Sequence, residues 1–164
     1  MSRHEIRSYD YVNHAYARVR EVLVADPVGI FRDATRSAAA RAHSVASELR
    51  VTIAGVDVAA DIAVSVGDIT EDPDGLFGLP VTMMSVSWEA AHLRRLFPLM
   101  TAQLKVSPLT PTETELDFVG QYQPPLGVIG EAVDSLVGHL IAKASVHRFV
   151  ADIGRHLRGR LSES

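Results

Sequence analysis

The chain has 164 residues, of which 47% are hydrophobic and 22% charged, and its net charge is −4 at pH 7. That length suits one domain with an ordinary core, and the composition excludes wholesale disorder. The acidic balance argues against a nucleic-acid protein, and the absence of cysteine excludes disulfides, thiolate metal sites and cysteine nucleophiles.

Partial alternation over His4 to Val12 predicts a first strand. Asn13 can cap a short helix from about His14 to Ala25, with Tyr16, Val19 and Leu23 at helical spacing. Asp26-Pro27 restarts the pattern, because aspartate suits an N-cap and proline the first helical position. This second helix is expected to end near Ser47. Its stripe of Phe31, Ala34, Ala38, Ala42 and Val45 is small enough to sit close to whatever it covers.

From Leu49 the period becomes two. Leu49, Val51 and Ile53 alternate with polar residues, and Ala54-Gly55 suits a tight turn. Val56 to Val66 then predicts a long strand with one wet and one apolar face, Asp57 and Asp61 facing solvent. Gly67 to Pro80 reads as a loop. Further strands are predicted over Val81–Glu89, Leu96–Ser107 and Glu113–Gln123, with a turn at Pro108–Thr112. The run Gln123-Pro124-Pro125-Leu126-Gly127 stops the last strand, since proline cannot donate to a ladder.

Val128 to about Leu161 is one long helical pattern with two apolar stripes. Ile129, Val133, Leu136, Val137, Leu140, Ile141 and Ala144 share one face. Val146, Phe149, Val150, Ile153 and Leu157 share the other, which extends back through Ala142 and His139. Such a helix either bends near Gly138 or lies between two layers. A sheet with one apolar face must cover it, and this helix is the element with the apolar length to do so.

No apolar run reaches the 18 or so residues of a membrane span, and the polar start lacks a signal-peptide apolar region, so a cytoplasmic protein is expected. Only Lys105 and Lys143 are lysine among 16 basic residues, a bias typical of a high-GC genome.

This element order, with Gly120-Gln121-Tyr122-Gln123-Pro124-Pro125-Leu126-Gly127 leading into the long helix, resembles the SRPBCC or START-like superfamily. That superfamily includes Bet v 1-like carriers, lipid-transfer domains and polyketide cyclases. The sequence looks closest to a group of uncharacterised actinobacterial SRPBCC proteins, through Phe149-Val150 and the Pro98–Glu115 stretch as well. It departs from them over Arg36 to Ser47, where many relatives are tryptophan-rich and this chain is mostly alanine and serine. The resemblance implies an α+β helix-grip fold over residues 1–164. A curved antiparallel sheet wraps a long C-terminal helix, and two short helices follow the first strand. It implies a hydrophobic small molecule, lipid or polyketide-like, held in an internal cavity by a carrier or sensor.

Chemical motifs are sparse. Glu89-x-x-His92 lacks the second copy a di-iron site needs, and Asp72-x-Asp74-Gly75 lacks the downstream glutamate of a calcium loop. No metal or cofactor is expected. Arg155, Arg158 and Arg160 suit the helix C-terminal dipole. Met84, Trp88, Met100 and Phe118, with Met83, suit a cavity wall or an ordinary core equally. Val146 lies on the face that carries His139. Tyr122 could aim its hydroxyl at a pocket mouth. His139 could anchor a ligand or act as an acid or base, or be a satisfied core histidine. Three readings follow: a ligand carrier or sensor, a cyclase or aromatase with catalytic residues unknown, or an interaction module with a filled core. A homodimer is left open.

Overall fold

The computed structural model describes residues 3–48, 62–90, 99–123 and 131–163. The elements are β1 (His4–Val12), α1 (Tyr16–Ala25), α2 (Pro27–Glu48), β2 (Ile62–Asp72), β3 (Val81–Ala90), β4 (Leu99–Thr110), β5 (Glu113–Gln123) and α3 (Glu131–Ser162). The five strands form one antiparallel sheet in the order β1-β5-β4-β3-β2. Strands β2 to β5 follow one another as a meander. The two helices α1 and α2 carry the chain from one edge of the sheet to the other. This is the helix-grip α+β fold.

The restart at Asp26 holds as expected. Its carboxylate accepts from Gly29 N at 3.0 Å, and its carbonyl accepts from Ile30 N at 3.3 Å. The start of α1 differs. Its N-cap is Ala15, without a side-chain cap, and Asn13 lies outside the helix. Tertiary contact sets this entry: Thr114 Oγ1 donates to His14 O at 2.7 Å, tying the chain before α1 to β5.

The expected loop from Gly67 also differs, because β2 runs on to Asp72. A register shift between Val66 and Ile69 absorbs the break in alternation, and such an irregularity bends a strand. Beyond it, Asp74 N donates to Asp72 Oδ1 at 3.1 Å, so the acidic motif is a turn. Phe77 follows with φ 58° and 93% exposure, a conformation costly for a residue with a side chain. The expected turn from Pro108 starts later, since β4 continues to Thr110 through a second register shift. The predicted strand Leu49–Ile53, the turn at Ala54-Gly55, Asp57, Asp61 and Glu89-x-x-His92 lie outside the described residues or side chains.

Two helices, not one, cover the apolar face. α2 has 22 residues and is not short. It packs along α3 and against β2, while α3 lies over β1 and touches β5. The alanine stripe explains this, since Ala34, Ala38 and Ala39 are buried and let α2 approach closely. α3 is continuous through Gly138. Its stripe of Ala142, Val146, Phe149, Val150, Ile153 and Leu157 is buried, whereas Leu140 on the other face is 42% exposed. Helix α3 also closes on β1 at Gly154, where an added Cβ would lie 2.3 Å from Asp10 Oδ2. Arg158 reaches across to β1. It donates to Tyr11 O at 2.7 Å and pairs with Asp10 at 3.3 Å, pinning α3 to β1.

On the outer sheet face Asp117 is buried. Arg7 grips it with two bonds of 2.9 and 2.8 Å, and Lys105 lies 3.7 Å away. Asp117 in turn raises the Arg7 guanidinium above its ordinary range. Met83, opposite Lys105, shares this outer face, since neighbours in a strand point to opposite sides.

Candidate functional site

Residues directly opposite in paired strands share a face, so the register defines rows across the inner side of the sheet. The first row is His4, Tyr122, Met100, Trp88 and Val64. The second is Ile6, Gly120, Ala102, Val86 and Val66. The third is Ser8, Phe118, Leu104, Met84 and Ile69. The middle of the second row is thus glycine and alanine, between two rows of large side chains.

The dip above Gly120 is filled from both sides. An added Cβ there would meet Ala102 Cβ, Met100 Sδ and Phe118 Cε1, each at 3.3 Å. The Trp88 and Phe118 rings, from the rows on either side, meet with centroids 5.7 Å apart. Phe149 descends from α3 and packs edge-on against both, at 4.6 Å from Trp88 and 5.5 Å from Phe118. Phe31 of α2 stacks on Phe149 at 5.9 Å. Four rings from two strands and two helices therefore form one interlocked plug.

Trp88 has a polar tether. Its Nε1 donates to Thr35 Oγ1 at 2.8 Å, and that hydroxyl donates to Phe31 O at 2.7 Å. Thr35 is buried, so Thr35→Val is expected to cost about 1–3 kcal/mol by leaving the indole N–H without an acceptor. Thr35→Ser should recover most of it. Urea unfolding followed by fluorescence of Trp88, the one tryptophan, measures both.

At the outer margin of the plug lies the polar pair. Tyr122 Oη and His139 Nδ1 share a hydrogen bond of 3.2 Å. A phenol can donate to a neutral imidazole nitrogen or accept from its N–H, so the tautomer sets the direction. The His4 ring stacks on the Tyr122 ring at 5.4 Å. Tyr122 is only 2% exposed, while His139 is half-buried. The site residues singled out in the sequence therefore fall together. Met84, Trp88, Met100, Phe118, Tyr122 and Val146 are all in one buried cluster, and His139 bonds to it through Tyr122. The His139 partner shown here is a side chain, Tyr122.

Thr35, Phe31 and Phe149 as members of this constellation were missed. Phe31 and Phe149 were legible as stripe residues, and a lone threonine one position from the stripe was the available signal for Thr35. Farther along β1, Ser8 Oγ lies 3.4 Å from His147 Nδ1. Among the described residues every buried side-chain nitrogen and oxygen has a hydrogen-bond partner, and no three histidine, aspartate or glutamate side chains converge as a metal site.

Burial raises the Tyr122 phenol above the ordinary tyrosine range. The neutral phenol is the form the folded state favours, so its contribution is fully present below about pH 10, the unfolded value. It is lost as pH rises through the higher folded value. Tyr122→Phe is therefore expected to unfold with a shallower loss of stability above about pH 10 than the parent. Denaturant titrations between neutral and strongly alkaline pH check this. Parallel slopes would mean the phenol ionises as freely folded as unfolded.

The fold and site define a helix-grip α+β protein with an aromatic interior and the Tyr122–His139 hydroxyl–imidazole pair at its margin. No sequence-family description and no curated protein matches the chain. Among solved structures, the Zhui aromatase/cyclase from Streptomyces sp. R1128 is similar at TM-score 0.52 and 10% identity, over 98% of this chain and 96% of that one. Norcoclaurine synthase from Thalictrum flavum scores 0.44 at 11% identity over 95% and 87% of the two chains. Ara h 8.0201 scores 0.44 at 8% identity over 95% and 98%. The likeness to the aromatase/cyclase establishes a shared fold. No helix among the described residues is long and apolar enough to cross a membrane.

Proposed function

We propose that this chain is a single START-like domain that holds a hydrophobic small molecule, lipid or polyketide-like, as a carrier or sensor. The ligand lies against the first inner row, where Tyr122 and His139 supply the hydrogen bond and Trp88, Met100 and His4 the apolar and ring surface. One observation carries this reading: a hydroxyl–imidazole pair, half-open on the His139 side, at the margin of an otherwise apolar interior. A few placed polar groups in an apolar lining is how small-molecule sites are built. A cytoplasmic location and an actinobacterial affinity belong to the same proposal.

Two other readings have a specific observation behind them. Tyr122 and His139 within hydrogen-bond reach are the couple that a cyclase- or aromatase-type enzyme would use for proton transfer. The four interlocked rings favour a protein-interaction module with a filled core.

Native mass spectrometry of gently purified protein, with extraction of any retained molecule, tests the proposal. A retained apolar ligand that is lost in Tyr122→Phe and His139→Ala supports it. A bare mass across growth conditions, with no shift on incubation with a lipid and polyketide panel, overturns it in favour of the interaction module. Turnover of a bound polyketide, abolished in His139→Ala while binding persists, selects the enzyme.

A further inference from the structure

Independently of any ligand in the interior, we infer that the Phe77 hairpin is a docking site for a basic amphipathic helix of another protein. The helix lies in the notch between the β2–β3 and β4–β5 hairpins, with the Phe77 ring against its apolar stripe. The exposure, the fixed shape and the charge of the hairpin lead there.

Exposure comes first. Phe77 is 93% exposed, well above Tyr9 at 58%, the next among the described large hydrophobic side chains that face solvent. Leu79, two residues on, is exposed as well. In an antiparallel meander alternate connections lie at the same end. The β4–β5 turn, with exposed Leu109, therefore stands beside the β2–β3 turn. The two hairpins are two strand spacings apart, about 10 Å, which is the width of a helix.

Fixed shape is the second feature. Phe77 sits at φ 58° and ψ 28°, the left-handed region that a residue with a side chain enters at a cost. Burial gives the ring nothing in return. Gly78 N donates to Gly75 O at 3.0 Å, and an added Cβ at Gly75 would lie 2.7 Å from Val81 Cγ2, so the tip packs on its own base. That base is tied to α1 through Tyr16 and Thr82, 2.6 Å apart, and through the Arg20–Glu71 ion pair. Strained residues of this kind collect at functional sites. An aromatic ring already held in place loses little freedom on binding, which is what an interface anchor requires.

Charge selects the partner. Residues 62–80 include Asp68, Glu71, Asp72 and Asp74 and no lysine or arginine. Glu71 is taken by Arg20, while Asp72 and Asp74 are exposed at the base of the tip. Glu113 is exposed on the neighbouring hairpin, so both sides of the notch are acidic. Like charge repels a second copy of this tip, a phosphate backbone and an anionic membrane surface. An apolar stripe flanked by lysine and arginine is complementary to it, and a basic amphipathic helix carries both.

The test is calorimetric titration of the full chain with a short Leu/Lys amphipathic helix peptide, its Leu/Glu counterpart, and vesicles of phosphatidylcholine with phosphatidylglycerol. The same titrations are run on Phe77→Asn, on Asp72→Asn combined with Asp74→Asn, and on Leu140→Ala as a control on the exposed face of α3. Asparagine tolerates the left-handed conformation, so Phe77→Asn should unfold at the same urea concentration as the parent or a higher one. The Leu/Lys peptide is expected to bind at least about tenfold more tightly than the Leu/Glu peptide. Phe77→Asn should weaken it by at least about tenfold. The double aspartate variant should weaken it several-fold and flatten its salt dependence, and Leu140→Ala should leave it unchanged. Equal binding of the two peptides, binding of neither, or an affinity that Phe77→Asn leaves intact overturns the inference. Vesicle binding that Phe77→Asn abolishes, without discrimination between the peptides, replaces the protein partner with a lipid surface. A dimer in sedimentation that Phe77→Asn dissolves replaces it with a second copy. A marked fall in the stability of Phe77→Asn assigns the ring to the fold and overturns the docking role.

Discussion

Phe149→Ala is expected to lower the free energy of unfolding by about 3–5 kcal/mol, the range for truncating a large buried ring. Phe149 is fully buried and stands at the centre of the plug, touching Phe31, Trp88 and Phe118. These partners sit on α2, β3 and β5, so no single element can slide inward to refill the space. Marginal total stability makes such a loss a large share of the whole. Urea unfolding followed through Trp88 measures it, with Leu140→Ala on the exposed face of α3 as the control expected to stay within about 0.5 kcal/mol. A loss below about 1 kcal/mol would mean that the surrounding rings collapse readily, and so that the interior is softer than an interlocked plug.

Gly120→Val should also destabilise, against the usual direction for a strand. Glycine inside a strand ordinarily costs about 0.5–1 kcal/mol relative to alanine, so replacing it tends to help. Here the added Cβ already lies 3.3 Å from Met100 Sδ, Phe118 Cε1 and Ala102 Cβ. Overpacking of this kind costs about 1–3 kcal/mol, which exceeds the propensity gain. Gly120→Ala should sit near the balance point, because the methionine sulfur can move more easily than the ring. Since Met100 lies opposite Tyr122 in the register, the valine variant should also weaken retention of a bound ligand. A valine variant as stable as the parent would show slack above the second row.

Much of the fold was legible because strand and helix periods differ. β5 was expected over Glu113–Gln123 and occupies that span. β3 and the buried stripe of α3 from Ala142 to Leu157 likewise followed from alternation and from 3.6-residue spacing. Asp26-Pro27 marked the start of α2 because the cap and the proline act locally. The misses came where a distant contact overrides a local signal. Thr114 fixes the entry to α1 in place of Asn13, and a ladder partner in β3 extends β2 past Gly67. The share of the sheet that α2 covers was missed because an alanine stripe is weak by hydropathy and strong by fit.

By itself the sequence determined the order of the described elements, the antiparallel strand run and the long apolar helix, and most of the large residues facing inward. All of these rest on spacing along the chain, where each residue constrains its near neighbours. Only the tertiary structure decided that Tyr122 and His139, on different elements, meet at 3.2 Å. It also decided that Trp88 is tethered through Thr35, and that rings from four elements interlock. The physical reason is that sheet register and helix approach are set jointly by packing, and no single segment encodes a distance to another.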